Sequence, residues 1–398
     1  MIFTTEIEKP EEQERGSGLK PQGWPMDYRL ADYLRVINPY FPPELVSEAS
    51  LLQLDRLANL LQPSWGSWLE CGLGAGIQPA SFAVHLPDKA SQIDSQLLSF
   101  QEWQCIQKLS LAREQGISAL GQGIESIWLN FDLDKHQDIP IPNGVFLGAI
   151  ESDELDLGEL HFGVERAANC CWLAQKAIEQ IYDREIPGGV QENLFASLQA
   201  LPTGAQVLYL GLMIGSEQQV KPQQVSSQQV RSQEIKLKKI RIDVSAIPAL
   251  DLSQYSNNSG WLGSAVDWEA IALTLEGLVD RVVLNIEFGS DNLGKISLEC
   301  YLDRRLDDSA QWQPLLNYLV ETQLCTPEKC KALLSWPGLC YESSTEEAWP
   351  PNLALISKFL GGRASSVMAR EILYIRLAWE SQTPVEAKAG LWFGPDWI

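Results

Sequence analysis

Five basic residues lie at alternating positions of segments that have the pattern of β-strands. Lys239 and Arg241 are two residues apart in KKIRIDVS, and Lys295, Arg376 and Lys388 follow in later segments of the same kind. Alternate residues of a strand point to one face of a sheet, so we expect these cations to share a face. Like charges that are buried together repel unless an anion lies between them. A phosphate-bearing ligand is a suitable counter-ion, because arginine binds phosphate through paired hydrogen bonds.

Carboxylates in the same segments support a second interpretation. They are Asp243, Glu287, Glu299 and Glu386. On a sheet face that is open to water, these groups could form cross-strand ion pairs with the five basic residues. Such pairing is ordinary in antiparallel sheets, so the residue pattern leaves both interpretations open at this point.

Aromatic residues favour a lined cavity over a face in open water. A solvated face is usually made of Lys, Glu, Thr and Ser, whereas aromatic side chains mixed with charge are typical of the wall of a cavity. The polar faces of these segments carry six aromatic residues: Trp68, Trp128, Tyr209, Tyr301, Tyr374 and Trp392. The other polar residues that we assign to this face are Glu70, His85, Asn130 and Asp132.

The elements that must position these residues recur in a regular order, one helix followed by two strands. Apolar residues at a spacing of three and four predict helices over 42–61, 95–116, 164–184, 265–280 and 311–325. Strict alternation predicts five strand pairs: 67–73 with 80–86, 125–133 with 143–150, 205–214 with 238–247, 281–289 with 295–302, and 371–379 with 385–393. The repeat is therefore an α-β-β unit.

This order predicts an α+β fold in which repeated α-β-β units form a ten-stranded antiparallel barrel surrounded by helices. Short connections between paired strands favour hairpins, and ten antiparallel strands leave exposed edges unless the sheet closes. We expect one barrel domain over 26–398. Residues 1–25 are polar and charged, which is typical of a disordered tail, and the Gln/Ser-rich segment 215–234 is typical of a mobile loop.

The segment SWLECGLGAG, residues 67–76, supports an alternative function. An acidic residue followed by glycines is how many methyltransferases hold S-adenosylmethionine. That fold needs a helix next, and then a second strand that ends in an acid about 20 residues further on. Residues 80–86 instead alternate like a strand, and Pro87 ends it. We therefore interpret the glycines as a hairpin connection and keep a SAM-dependent methyltransferase as the weaker alternative.

Composition limits the partners. The formal net charge of -22 and the isoelectric point near 4.5 disfavour nucleic acid and anionic membranes. No signal sequence is recognisable and no apolar run reaches the roughly 18 residues of a membrane span, so we expect a cytoplasmic protein. The eight cysteines are too sparse for a disulfide framework, and CTPEKC, residues 325–330, lacks the spacing of a metal site. We expect no metal.

Three short motifs add a family resemblance. The segment LECGL, residues 69–73, is similar to a first strand whose carboxylate receives an indole N–H, and FDL, residues 131–133, matches a third-strand motif. The segment KIR, residues 239–241, resembles a pair that holds an allylic diphosphate. With the five α-β-β repeats, these motifs resemble the PT barrel of the ABBA aromatic prenyltransferases, in particular the dimethylallyltryptophan-synthase-like branch.

The resemblance implies metal-independent transfer of a prenyl group from an allylic diphosphate co-substrate to an aromatic acceptor, which is an indole, a phenol or a peptide side chain. No other cofactor is implied. Glu70 would orient the acceptor and take up its proton. The diphosphate would be held by Lys239, Arg241, Lys295, Arg376 and Lys388, and the carbocation would be shielded by Trp68, Trp128, Tyr209, Tyr301, Tyr374 and Trp392.

The sequence also departs from this family. The second strand offers only Ser81 and His85 where a basic residue is usual, the fourth strand offers no basic residue, and Gly390 stands where a tyrosine is expected after Lys388. These departures favour an alternative of another class. In that alternative the barrel has no catalytic activity and binds a peptide or a hydrophobic metabolite.

Overall fold

The computed structural model describes sixteen stretches of the chain: residues 29–63, 66–87, 89–116, 118–133, 141–149, 162–182, 186, 188–202, 204–216, 235–245, 251–258, 268–289, 293–302, 309–361, 364–380 and 383–398. The predicted tail over 1–25 and most of the predicted loop over 215–234 lie outside these stretches. The first two residues assigned to that loop end a strand, in which Gly215 pairs with Lys236 and Ser216 with Ile235.

The described residues form the following elements. The helices are α1 Leu30–Ile37, α2 Glu48–Ala58, α3 Gln101–Gln115, α4 Ala119–Gln122, α5 Phe162–Tyr182, α6 Gly188–Gln199, α7 Asp251–Asn258, α8 Trp268–Leu275, α9 Gln313–Glu321, α10 Pro327–Leu334 and α11 Pro351–Phe359. The strands are β1 Ser67–Gly72, β2 Ser81–His85, β3 Ile124–Asp132, β4 Gly144–Ala149, β5 Gln206–Ser216, β6 Ile235–Ser245, β7 Arg281–Phe288, β8 Leu293–Tyr301, β9 Gly338–Tyr341, β10 Ser366–Glu380 and β11 Thr383–Trp397.

Ten of these strands form a closed antiparallel ring. Neighbours follow the chain from β1 to β8, β10 pairs with β8 and β11, and β11 pairs with β1. The remaining strand, β9, pairs with the first part of β10, over Val367–Arg370. The predicted barrel surrounded by helices is therefore confirmed, with all five predicted hairpins in place. Because the ring is closed, each of its ten strands has a neighbour on both sides. Strand β9 lies beside the ring, next to β10.

Several elements escaped the sequence analysis or differ in length from it. Strand β9 has four residues, too few for alternation to be visible, and α10 and α11 are short helices. The helix predicted over 265–280 is described only from Trp268 and ends at Leu275. Gly277, at φ +81°, explains this end, because a left-handed residue cannot continue a right-handed helix.

The outer faces of the strands and the inner faces of the helices make the core. Trp103 of α3 is fully buried against Phe131 of β3, with ring centroids 6.0 Å apart. Phe82 of β2 stacks on Phe393 of β11, across the intervening strand β1, at 6.4 Å. Each such burial stabilises the fold by about 1.5–3 kcal/mol. Because the apolar residues of every strand are used here, the alternate residues are left to line the inside of the barrel.

The glycine-rich segment connects two antiparallel strands, β1 and β2, as predicted. A side chain at Gly72 would meet the side chain of Gln78, which would have to move. Lys329 of α10 is buried under this connection and donates from Nζ to the carbonyl oxygens of Gly72, at 2.6 Å, and Gly76, at 2.7 Å. The methyltransferase interpretation is wrong, because the glycines lead directly into an antiparallel strand, β2, where that fold needs a helix.

One finding concerns membranes. Within the described stretches, α-helices with the length and apolar character needed to cross a bilayer do not occur.

The bonds from Lys329 give a test of how the β1–β2 connection is held. We expect Lys329→Met to lower the free energy of unfolding by about 1–3 kcal/mol, because two buried carbonyl groups lose their donor. Amide hydrogens of residues 73–80 should exchange faster in this variant, as measured by mass spectrometry. Lys331→Met on the exposed side of the same helix is the matched control and should change neither quantity. Equal exchange in the two variants would contradict this role.

Candidate functional site

The register of the strands puts the predicted site residues on the inner face of the barrel. Trp68 of β1 lies opposite Trp392 of β11, and Arg376 of β10 lies between Lys388 of β11 and Glu299 of β8. The residues that alternate with them, such as Leu69 and Leu391, belong to the outer core. The same face carries the other predicted residues: Glu70, Trp128, Tyr209, Lys239, Arg241, Lys295, Tyr301 and Tyr374.

Charged and aromatic side chains occupy different depths of this interior. The five hairpins all turn at one end of the barrel, here called the hairpin end. On β11, Lys388 lies nearer the hairpin end than Trp392, and on β8 Lys295 lies nearer it than Tyr301. On β1, β3 and β10 the charged residue is again nearer the hairpin end: Glu70 is nearer than Trp68, Asp132 is nearer than Trp128, and Arg376 is nearer than Tyr374. On these five strands the named charges therefore lie nearer the hairpin end than the aromatic rings do, although Arg281 of β7 lies beside Tyr301 at the other end.

Glu299 lies at the centre of the charged region. Its Oε1 atom accepts from Nη2 of Arg241 at 2.9 Å and from Arg376 through Nε at 3.1 Å and Nη2 at 2.5 Å. Its Oε2 atom accepts from the hydroxyl group of Tyr301 at 2.8 Å. Burial alone would raise the pKa of Glu299, but Arg376 and Arg241 outweigh it and hold the pKa below its ordinary value. Glu299 is therefore an ionised, buried carboxylate.

Glu70 is the second buried carboxylate on this arginine. Its Oε2 atom lies 2.5 Å from Nη1 of Arg376 and accepts from the hydroxyl group of Tyr374 at 3.0 Å. Nζ of Lys388 is 3.6 Å from the Oε1 atom. Burial opposes ionisation, yet Arg376, Lys388 and the bond from Tyr374 lower the pKa of Glu70 below its ordinary value. A carboxylate held in this way stays charged and accepts hydrogen bonds.

A third carboxylate extends the network across β6, β7 and β8. The Nε atom of Arg241 donates to Oδ1 of Asp243 at 2.6 Å, and Nδ2 of Asn285 donates to the same oxygen at 2.9 Å. The hydroxyl group of Ser297 donates to Oδ1 of Asn285 at 3.0 Å. Burial and the nearby Glu299 raise the pKa of Asp243, against the effect of Arg241. Sequence reasoning assigned no role to Asn285 or Ser297, although both stand at polar positions of alternating strands.

The three lysines lie nearer solvent and also have carboxylate partners. Lys239 bonds Glu287 at 3.0 Å, Lys295 bonds Glu386 at 2.8 Å, and Lys388 is 3.6 Å from Glu386. Both interpretations of the sequence are therefore right in part. The cations do share the inside of a barrel, and each of them also has a carboxylate within 4.0 Å.

Aromatic rings adjoin the charged region. Trp68 and Trp128 pack at 4.8 Å between ring centroids, and Tyr301 and Tyr374 pack at 5.7 Å. The guanidinium of Arg376 lies 5.3 Å from the ring of Tyr374. The Arg241 guanidinium lies at the same distance from the ring of Phe146, a β4 residue that the sequence analysis did not single out. The rings of Tyr374 and Phe146 therefore present their faces to positive charge, which the ring quadrupole stabilises.

Two glycines make room for these rings. A Cβ atom at Gly390 would lie 3.0 Å from two ring carbons of Tyr374, and one at Gly211 would lie 2.6 Å from the ring of Phe146. Tyr374 of the adjacent strand therefore occupies the space beside Gly390. On the fourth strand, Phe146 lies beside Arg241.

The cysteines lie in the core of the protein. Cys325 and Cys330 are buried, and burial raises the pKa of Cys325 to about 12. A search of the described stretches finds no group of three or more His, Cys, Asp or Glu side chains arranged to hold a metal ion.

Arg376 gives a test of the network through its dependence on pH. The lowered pKa values of Glu70 and Glu299 mean that ionisation contributes stability above about pH 4.5, and that this stability is lost as the pH falls through the lowered values. Arg376 is the largest of the groups that oppose burial at both carboxylates, so we expect both pKa values to rise when the guanidinium is removed. We therefore expect Arg376→Gln to cost about 3–5 kcal/mol near pH 7 and clearly less near pH 5, where the carboxylates can bind protons.

Urea unfolding at the two pH values measures this difference. Lys239→Gln is the control, because its ion pair with Glu287 is partly exposed, and we expect a cost of about 1 kcal/mol or less at both pH values. A cost for Arg376→Gln that is the same at both pH values would refute the assigned electrostatic role.

Comparisons with known proteins place this barrel in a fold family. No family of known sequences matches the chain, and no curated protein matches it. Among solved structures, the prenyltransferase PriB in its ternary complex with L-tryptophan and dimethylallyl thiolodiphosphate is similar, with 10% identity, a TM-score of 0.51 and coverage of 91% of this chain and 94% of PriB. The 5-dimethylallyltryptophan synthase from Streptomyces coelicolor has 11% identity, a TM-score of 0.46 and coverage of 91% and 95%. With the closed ring of ten strands, the likeness to PriB shows that the chain has the PT-barrel fold.

Proposed function

We propose that this protein transfers a prenyl group from an allylic diphosphate to an aromatic acceptor inside the barrel. One observation carries the proposal: within a PT-barrel fold, an ion-paired cluster of charged groups lies toward the hairpin end of the interior, and aromatic rings lie next to it toward the other end. An allylic diphosphate needs these two environments side by side, because its head is anionic and its chain is apolar. The co-substrate is therefore the allylic diphosphate, and the proposal requires no other cofactor.

The basic residues would hold the diphosphate and stabilise it as it leaves. Lys239, Lys295 and Lys388 are partly exposed at the hairpin end, where an anion meets them first. Arg241 and Arg376 lie deeper. In the first step the bond between the allylic carbon and the diphosphate oxygen breaks, and the electron pair goes to the oxygen. Fixed cations lower the barrier because negative charge develops on that oxygen.

The aromatic rings would stabilise the allylic cation that remains. Tyr301 and Tyr374 line the boundary between the charged and aromatic regions, and Trp68 and Trp128 continue the wall. The ring faces attract a cation and keep water away from it. In the second step a carbon of the acceptor ring attacks the cation, a carbon–carbon bond forms, and the ring carbon then loses its proton.

Glu70 would orient the acceptor and receive that proton. Its lowered pKa makes it a weak base, but the protonated ring intermediate is a far stronger acid than a carboxylic acid, so transfer to Glu70 is downhill. An ionised carboxylate also accepts a hydrogen bond from the N–H or O–H of an indole or a phenol. PriB has been crystallised with L-tryptophan, which supports an indole as one acceptor class.

A second candidate function is a barrel that binds a peptide or a hydrophobic metabolite without catalysis. The pairing of the five predicted basic residues with carboxylates favours it, because a diphosphate would have to compete with these carboxylates for the five cations. The inner faces of β2 and β4 also contribute no cation, since they carry Ser81, Ala83, His85, Gly144, Phe146 and Gly148.

Product formation separates the two functions. We expect a prenylated product, identified by mass spectrometry, when the protein is incubated with dimethylallyl, geranyl or farnesyl diphosphate and with tryptophan, tyrosine or peptides containing them. The preferred diphosphate should also raise the unfolding temperature, by an amount equivalent to about 2.7 kcal/mol at a hundred times its Kd. If none of the three diphosphates stabilises the protein or yields product, the binding function is favoured.

Glu70→Gln tests the role of the carboxylate in the chemical step. We expect product formation to fall by about 10²–10⁴-fold, the usual contribution of a positioned acid or base, while binding of the diphosphate is retained. Glu346→Gln, which changes an exposed carboxylate between β9 and α11, is the control and should retain full activity. An unfolding curve for each variant shows whether activity is lost through instability. Full activity in a folded Glu70→Gln protein would exclude this role.

A further inference from the structure

Glu299 occupies a place that suits the anionic group of a ligand. The side chains of Arg241 and Arg376 converge on its Oε1 atom with three N–H groups at 2.5–3.1 Å. Tyr301 donates to the other oxygen. Two guanidinium groups and a phenol around one pair of oxygens are the donors that also recognise phosphate oxygens. In the structure a carboxylate of the chain itself takes all of these bonds.

The charges around the two arginines explain why a ligand would have to displace such a carboxylate. The five basic residues of the site face five carboxylates, which are Glu70, Asp243, Glu287, Glu299 and Glu386. This ion-paired set is neutral when all ten groups are ionised; Asp132, Glu371 and Arg281 lie on the same inner face and are not part of it. A diphosphate that entered this set would add negative charge in a region of low dielectric, where an uncompensated charge is costly. Some cation must therefore exchange its carboxylate partner for the ligand.

The geometry distinguishes Glu299 from the other four carboxylates. Glu287 and Glu386 bond lysines that are partly exposed. Glu70 bonds Arg376, and Asp243 bonds Arg241, so each contacts one arginine of the pair. Glu299 contacts both, and releasing it would free donors on both guanidinium groups at the same time.

We infer that Glu299 is a resident counter-ion, which holds the place of a diphosphate between Arg241 and Arg376 and is displaced when the diphosphate binds. This inference rests on the proposed function, because it names how anion binding at the same site is controlled. The carboxylate keeps two buried arginines paired while the barrel is empty. It also makes every diphosphate compete with an intramolecular ligand, so the affinity is lower than the donors alone would give.

Two variants with the same change of charge test the inference. Glu299→Gln removes the negative charge between the arginines, and Glu287→Gln removes one beside Lys239 at the hairpin end. Binding of inorganic pyrophosphate is measured by calorimetry at fixed ionic strength. We expect at least a tenfold gain in affinity for Glu299→Gln, equivalent to about 1.4 kcal/mol, and a much smaller gain for Glu287→Gln. Equal gains would show a general effect of net charge, and no gain for Glu299→Gln would overturn the inference.

If Glu299→Gln folds poorly, a second variant and the unmodified protein still test the inference. Glu299→Ala leaves room for a free anion, so acetate and pyrophosphate should raise its unfolding temperature more than that of the wild-type protein. No such difference would contradict the inference. In crystals of the wild-type protein grown with pyrophosphate, we expect the anion on Arg241 and Arg376, with Glu299 turned away from them. Pyrophosphate bound elsewhere, with Glu299 still on both arginines, would also contradict it.

The outcomes separate this inference from the proposed function. A gain in pyrophosphate affinity without any prenylated product supports the resident counter-ion and rejects prenyl transfer. Prenyl transfer by the wild-type protein, with no gain for Glu299→Gln, supports the function and rejects the inference.

Discussion

The interior depends on one bridging guanidinium. Arg376 joins Glu70 of β1 to Glu299 of β8, and its own strand, β10, lies between β8 and β11 in the ring. The contact therefore spans the strands at which the first and the last parts of the chain meet. A buried guanidinium with two carboxylates is stable only while all three groups remain paired. Backbone pairing of β1 with β11 closes the barrel, and Arg376 adds a side-chain link across the same region of its interior.

The barrel turns a local pattern into this arrangement. Strict alternation sends half of each strand to the outer core, where Phe82, Trp103 and Phe131 pack, and leaves the other half inside. Because all hairpins turn at one end, the order of residues along each strand becomes depth in the interior. Charge near the turns and aromatic rings further along then produce a polar region beside an aromatic one, without any long-range signal in the sequence.

The fold could be predicted because the apolar periodicity and the order of helices and strands can be read from the sequence without knowledge of tertiary contacts. Five helix-hairpin repeats leave few topologies, and closure follows from the cost of open edges. The ion pairs could not be predicted in full. Alternation tells that Arg241 and Glu299 share a face, but strand β7 separates their strands, and only the curvature of the closed ring brings them to 2.9 Å. Strand β9 was missed because four residues are too few to show alternation. The contact of Phe146 with Arg241 was missed because a single aromatic residue has no periodic pattern.

The pairing of these charges also follows from the requirements of folding. A barrel that gathers five cations must fold without a ligand, and unpaired buried arginines would oppose that folding. Carboxylates such as Glu299 and Asp243 remove the obstacle, and under the proposal above Glu299 then competes with the ligand. Lysines at the hairpin end face a weaker conflict, because water screens their charge. Carboxylates therefore compensate the charge of the deep arginines, and water screens the charge of the more exposed lysines. Both keep positive charge inside the barrel from destabilising the fold.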